Sequence, residues 1–143
     1  MQVNQFMTRN PVVVRPDASL REAAERMREM DSGVMPICDG ERLVGMLTDR
    51  DVTVRATAEG KDPNSTPVRE IMSPDAVYCF EDDDEREAAR KMEQHQLRRL
   101  AVLNRDKRLV GMVSLGDIAV HTSDDRITGE VTEAVSEPGS AEV

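Results

Sequence analysis

Aromatic side chains are nearly missing from this chain. Of 143 residues none is Trp, one is Tyr and two are Phe. Its core must therefore be aliphatic, with nine Met available to fill irregular gaps. The same scarcity argues against a nucleic-acid surface, which needs a basic stripe and stacking rings. Charge points the same way: 28 Asp and Glu against 19 Lys and Arg give a net charge of −9. Two cysteines do not make a disulfide scaffold. Long apolar runs are also missing. No stretch longer than eight residues lacks a charge, whereas a membrane helix needs about 20 apolar residues. The opening MQVNQFMTRNP has no basic region followed by an apolar one, so no secretory signal is expected. A cytoplasmic protein with neither membrane nor nucleic-acid partners is the expectation.

What is present is a repeat. Val3–Cys38 aligns with Val68–Leu103 at an offset of 65, and Leu43–Val52 aligns with Leu109–Ile118 at an offset of 66. Fourteen pairs are identical, among them Met7/Met72, Asp17/Asp82, Met27/Met92, Gly45/Gly111 and Asp51/Asp117. Two copies are too few for a solenoid. Two similar halves facing each other across a pseudo-two-fold axis are the simpler arrangement.

Each half reads as β-α-β-β-α, an α/β (α+β) pattern. A short apolar run comes first, Val12–Val14 and Val77–Phe80. Ser19-Leu-Arg-Glu22 and Asp84-Glu-Arg-Glu87 then have the form of capping boxes, and small or apolar residues recur at helical spacing behind them. Two further apolar runs follow in each half, joined by Asp39-Gly40 and by Asn104–Arg108. A second helix begins near Asp49 and near Leu115. The division is residues 1–60, a linker at 61–67, residues 68–122, and an acidic tail at 123–143 expected to be disordered.

The most informative block is Gly45-Met-Leu-Thr48-Asp-Arg-Asp51, matched by Gly111-Met-Val-Ser114-Leu-Gly-Asp117. It lies where a strand ends and a helix begins. Free backbone N–H groups and a hydroxyl there suit a phosphate, and a carboxylate suits ribose hydroxyls. Thr-x-x-Asp and Ser-x-x-Asp are equally capping boxes that need no ligand. A glycine three residues earlier in both copies permits close approach of another backbone or of a ligand, and this tilts the balance toward a site.

Both halves resemble CBS domains, and together they resemble a tandem CBS pair, the Bateman module. The two Gly-x-x-(Thr/Ser)-x-x-Asp blocks carry the resemblance. So do the Met-Pro-Ile-Cys and Leu-Ala-Val-Leu strands and the Met-Thr and Met-Ser starts, over roughly residues 3–122. Met46-Leu-Thr-Asp-Arg-Asp-Val and the Asp62-Pro-Asn linker are also similar to small stand-alone CBS-pair proteins of the hypoxic-response type. The resemblance implies a regulatory module, not an enzyme, that binds adenosine-containing ligands in clefts between two repeats. Those ligands are AMP, ADP or ATP, with NAD or S-adenosylmethionine as further members, and no cofactor is required. It also implies a disc-like homodimer and an effector protein that responds to occupancy.

By the same resemblance, one cleft would join Thr48 and Asp51 to Ala76, Val77, Leu97, Arg98 and Arg99. The other would join Ser114 and Asp117 to Asn10, Val12, Gly33, Met35 and Pro36. The aspartates would hold ribose, the hydroxyls phosphate or ribose. Val12, Val77, Met35 and Ile118 would flank adenine. Arg98-Arg99 matches the uncharged Gly33-Val34, so the Thr48/Asp51 cleft is expected to prefer phosphorylated adenosine, with Asp75 opposing. Cys38 and Cys79 are expected as buried free thiols, and with His95 and His121 they match no zinc pattern. Two other readings stay open: an interaction scaffold whose Thr/Ser-x-x-Asp units are only caps, and an enzyme, for which no catalytic constellation is evident.

Overall fold

Ser19 opens the first long helix, its Oγ accepting the Glu22 N–H at 3.1 Å. Asp84 opens the matching helix by accepting the Arg86 N–H at 2.9 Å. Both helices end on a non-glycine residue in the left-handed region, Asp31 and Gln96, which occupy the same place in the repeat. These observations come from a computed structural model that describes residues 1–121. The acidic tail expected at 123–143 lies outside the described residues.

The order of elements is β1 (Thr8–Arg9), α1 (Leu20–Met30), β2 (Val34–Asp39), β3 (Arg42–Thr48), α2 (Asp49–Asp51), β4 (Tyr78–Phe80), α3 (Glu85–His95), β5 (Arg99–Leu103), β6 (Leu109–Ser114) and α4 (Leu115–His121). The α2 turn runs on into a wider helical stretch at Val52–Thr57. The mixed α/β content is as the sequence leads one to expect. The chain forms two compact units. The N-terminal unit is Val12–Ala76. The C-terminal unit joins Met1–Pro11 to the described residues from Val77 on.

In the N-terminal unit β2 and β3 pair antiparallel, from Val34 opposite Thr48 to Asp39 opposite Arg42. Gly40 turns the hairpin at φ +64°, a conformation that costs glycine little. The expected strand at Val12–Val14 shrinks to a single parallel bridge, Val14 to Ile37. Leu20, Ile37, Leu47, Val68 and Ile71 form the centre of its aliphatic core. In the C-terminal unit the sheet order is β1-β6-β5-β4. Val3, Cys79, Met92, Leu100 and Val113 lie at its centre. Both hairpins carry a register irregularity at the same place, after Ile37 and after Val102. The residue that changes the repeat offset from 65 to 66 therefore sits in the turn before β6, where Asn104 Oδ1 accepts the Asp106 and Arg108 N–H groups.

The sequence repeat and the compact unit are not the same piece of chain. The opening segment of each repeat packs on the body of the other. Val3 N–H donates to the Asp83 carbonyl (2.9 Å) and Asn4 N–H to the Glu81 carbonyl (2.9 Å), while Glu85 N–H donates to the Met1 carbonyl (2.9 Å). The N-terminal unit makes the same three bonds one repeat along. Val68 N–H donates to Ala18 (2.8 Å), Arg69 N–H to Pro16 (3.0 Å) and Leu20 N–H to Thr66 (3.0 Å). The acidic stretch Glu81–Glu85 is thus a docking loop for the first residues of the chain. Met46 and Ser73 exchange backbone bonds as an isolated bridge, and β1 pairs with β6 at the matching place.

Candidate functional site

Each Gly-x-x-(Thr/Ser)-x-x-Asp block ends the second strand of a hairpin and starts the next helix. Thr48 and Ser114 are the last residues of β3 and β6. Both blocks form complete capping boxes. The Asp51 N–H donates to Thr48 Oγ1 (3.1 Å), and the Thr48 N–H donates to Asp51 Oδ2 (3.0 Å). In the C-terminal unit the Asp117 N–H donates to Ser114 Oγ (3.0 Å), and the Ser114 N–H to Asp117 Oδ2 (2.8 Å). One oxygen of each carboxylate is engaged this way.

The glycines have a packing reason. A Cβ on Gly111 would lie 2.6 Å from Met7 Sδ and 2.8 Å from the Thr8 carbonyl oxygen. A Cβ on Gly45 would lie 2.7 Å from Met72 Sδ and 2.8 Å from the Ser73 carbonyl oxygen. Of the two reasons the sequence leaves open, the close neighbour here is backbone. The glycine admits the exchanged opening segment, and it therefore lends no weight of its own to a ligand.

An open cavity of about 220 Å³ does lie at the second block, lined by Thr8, Arg99, Met112, Val113, Ser114 and Asp117. All six belong to the C-terminal unit. Its polar groups are two hydroxyls, a carboxylate and a guanidinium. Thr8 is present because β1 pairs with β6, Thr8 opposite Met112. Arg99 is present because it faces Ser114 across the β5–β6 ladder.

This placement regroups the candidate residues. From sequence, Arg99 is assigned to Thr48 and Asp51; the structure places it beside Ser114 and Asp117. The cause is strand pairing, which puts the first residue of β5 opposite the last residue of β6. In the N-terminal unit Val34 faces Thr48 in the same way, with Gly33 before it. Arg98 and Arg99 are both exposed. Leu97 and Val77 are half-buried against the core of the C-terminal unit, and Val12 is half-buried against that of the N-terminal unit. Met35 and Ile118 are 2% and 1% exposed, and their side chains pack in the cores of the N-terminal and C-terminal units. Pro36 is buried and Ala76 half-buried, while Asn10 is exposed at φ +50°. Thr8, Met112 and Val113 are the lining residues that the sequence reading passes over, and Thr8 is the one with a polar side chain. Its signal is the register pair Thr8/Ser73, a hydroxyl at the same point of both opening segments.

Cys38 and Cys79 are buried and free. Burial pushes the Cys38 thiol up to about 11. Cys79 is pushed up to about 12, by burial first and then by the Asp83 carboxylate, with Lys91 opposing. Among the described residues no group of three or more His, Cys, Asp or Glu side chains is placed to hold a metal ion. No described helix is long and apolar enough to cross a membrane.

Comparison with known proteins gives the same picture. The CBS domain family matches residues 3–56 and 68–124. The chain is 37% identical over 134 residues to CBS domain-containing protein YhcV of Bacillus subtilis, covering 94% of each. It is 40% identical over 121 residues to hypoxic response protein 1 of Mycobacterium tuberculosis, covering 84% of this chain and 83% of that one. The crystal structure of Hypoxic Response Protein I with two coordinated zinc ions matches at TM-score 0.79 and 38% identity, over 85% of this chain and 99% of that one. A CBS domain protein from Pyrobaculum aerophilum complexed with AMP matches at TM-score 0.76 and 25% identity, over 93% and 99%. Two matched repeats, each with its strand-end Gly-x-x-(Thr/Ser)-x-x-Asp block, make this chain a member of the CBS-domain family with a tandem pair of CBS domains.

Proposed function

We propose that the protein is a regulatory module that binds AMP, and that the Ser114/Asp117 pocket of the C-terminal unit receives its ribose and phosphate. The observation that carries this reading is the pocket's polar lining. The Asp117 oxygen not used by the cap accepts from ribose hydroxyls, as an acid commonly does at a nucleotide sugar. The Arg99 guanidinium holds phosphate oxygens through charge-assisted bonds. Thr8 and Ser114 add hydroxyls. A volume of about 220 Å³ is below the ~300–1,000 Å³ of pockets that enclose a whole small molecule. It fits the sugar-phosphate end and leaves the base to residues outside it. The likeness to a CBS domain protein complexed with AMP supports the ligand class.

No catalysis is assigned to this site. Binding regulates only if AMP favours one of two arrangements of the protein; equal affinity for both shifts nothing. The output is altered contact with an effector protein, and the module works as a cytoplasmic homodimer. Titration calorimetry with AMP on the parent, Asp117→Ala and Arg99→Ala tests the reading. The expected result is binding to the parent that both substitutions weaken at least tenfold. No heat with the parent, or equal affinity in all three, overturns it.

One observation favours a second reading. Both aspartates complete capping boxes and both glycines have packing partners, so each block has a structural reason without a ligand. A scaffold that folds, associates and ignores nucleotide would look the same at these positions. It predicts that Asp117→Ala lowers the melting temperature while AMP raises it in neither protein.

A further inference from the structure

Arg98 and Arg99 stand exposed where β5 begins, beside the start of α4. The Leu115 N–H, first in α4, donates to the Arg98 carbonyl at 2.8 Å, and Arg99 faces Ser114 across the ladder. Neither guanidinium has a hydrogen bond or ion pair among the described residues. Other cations of this unit are committed. Arg90 pairs with Glu87 and Arg105 with Asp82, while Lys91 donates to the Tyr78 carbonyl and Arg9 to the Asn4 carbonyl. Lys107 lies in the turn beyond the other end of β5, a strand of five residues and so about 17 Å long. The pocket wall adds one acid, Asp117, whose carboxylate is held by its cap. Two adjacent guanidinium groups therefore stand against one carboxylate at the pocket, in a chain of net charge −9.

We infer that the acidic residues following α4 dock on Arg98 and Arg99 of their own chain and there compete with phosphate for the guanidinium groups. The competition rests on the reading of the Ser114/Asp117 pocket as an AMP site; the docking does not. Residues 122–143 carry six Asp and Glu and one Arg. They continue from α4, whose first residue is bonded to Arg98. The helix has seven residues and is about 10 Å long. Asp124 and Asp125 follow within four residues of its end, and each residue of chain can span about 3.5 Å. The first two acids can thus come back along the helix, and Glu130 and Glu133 have chain to spare. A guanidinium takes a carboxylate and a phosphate through the same two-pronged hydrogen bonding. A tethered competitor acts at an effective concentration in the mM range, so weak carboxylate contacts suffice to oppose a nucleotide. Gly33 and Val34 give the N-terminal unit no cation at the matching positions, so this attraction belongs to one unit.

The test uses the full chain with its acids neutralised: Asp124→Asn, Asp125→Asn, Glu130→Gln, Glu133→Gln, Glu137→Gln and Glu142→Gln together. Amide NMR signals of this variant are compared with those of the parent, without nucleotide. The expected result is a shift at Thr8, Arg98, Arg99 and Ser114 and none at the Asn104–Arg108 turn. In the converse variant, Arg98→Gln with Arg99→Gln, the amides of residues 124–137 should shift. Unmoved signals in either comparison overturn the inference. Shifts that fade on dilution overturn it too, because the acids would then come from a second copy. Titration calorimetry with AMP reads the competition. At low salt the neutralised variant should bind at least fivefold more tightly than the parent, and the difference should vanish in about 0.5 M salt, where charges are screened within a few Å. Equal AMP affinities at low salt overturn the competition. If AMP binds neither protein, the reading of the pocket has failed, and the amide shifts alone decide whether the acids dock.

Discussion

Gly111 faces Met7 so closely that a Cβ would lie 2.6 Å from the methionine sulfur, and Gly45 meets Met72 in the same way at 2.7 Å. A thioether can swing aside, but the carbonyl oxygens of Thr8 and Ser73, each 2.8 Å from the same Cβ, belong to backbone held in the sheet or its bridge. Gly111→Ala and Gly45→Ala are therefore expected to lower stability by about 1–3 kcal/mol, the usual cost of overpacking. Urea denaturation without nucleotide measures it. The control is Gly116→Ala, whose nearest neighbour is the Ser114 Oγ at 3.5 Å, an ordinary contact. If Gly111→Ala is as stable as the parent and only nucleotide binding suffers, the glycine serves a ligand.

Much of this arrangement was legible in the sequence. Helix starts at Ser19 and Asp84, hairpin turns at Gly40 and Asn104, and both Thr/Ser-x-x-Asp boxes depend on local chemistry, which spacing records. The exchange of opening segments is different. Val3 and Val68 are buried in units belonging to the other repeat's body, and the bonds that hold them run between backbone groups far apart in the chain. Backbone donors carry no residue signature, so the repeat shows which segments are equivalent and not which body each joins. Arg99 illustrates the same limit. Its place beside Ser114 follows from facing that residue across a ladder, a matter of register. Burial is a further limit: spacing does not record that the Met35 and Ile118 side chains are 2% and 1% exposed.

The caps give the next expectation. Removing the Asp51 or Asp117 carboxylate leaves the N–H of Thr48 or Ser114 without its partner. Losses of about 1 kcal/mol each are expected for Asp51→Ala and Asp117→Ala, in the range measured for helix caps. Asparagine keeps an acceptor oxygen at the same distance, so Asp51→Asn and Asp117→Asn should recover most of that loss. Thermal melting of the four variants checks this. Equal losses for Ala and Asn would mean that charge, rather than the hydrogen bond, is what each helix start requires.

The cysteines carry a pH dependence. Burial holds Cys38 up at about 11 and Cys79 up at about 12, both above the ordinary 9.0 of a thiol. Below pH 9 the folded and unfolded chains both keep these protons, so the thiols cost nothing. Above it the unfolded chain ionises first, and stability falls as pH rises from about 9 toward 11 and 12. Chemical denaturation at pH 8 and pH 10.5 should show the drop, and Cys38→Ala with Cys79→Ala should flatten it. At pH 8 a thiol-reactive probe should label the native protein slowly and the denatured protein at once, because the thiolate is the reactive form. Rapid labelling of the native protein would show that one thiol is not enclosed.

The last expectation concerns the end of the four-stranded sheet, where β4 has β5 on one side only. Two backbone groups of this edge strand are taken by side chains. The Lys91 ammonium donates to the Tyr78 carbonyl at 2.7 Å, and the Phe80 N–H donates to Asp83 Oδ2 at 2.8 Å. Exposed strand edges invite pairing with another chain, and proteins blunt them with charged groups. Lys91 and Asp83 do this by bonding the edge directly. Lys91→Met keeps the apolar stem and removes the donor, and Asp83→Leu removes the acceptor. Each should cost about 1–3 kcal/mol for a backbone group left without its partner. The double variant should also self-associate in a concentration-dependent way, followed by light scattering. Lys91→Arg and Asp83→Asn retain a donor and an acceptor, so they should stay as dispersed as the parent. Association by the conservative pair as well would mean that loss of the Asp83 charge, not the opened edge, drives it.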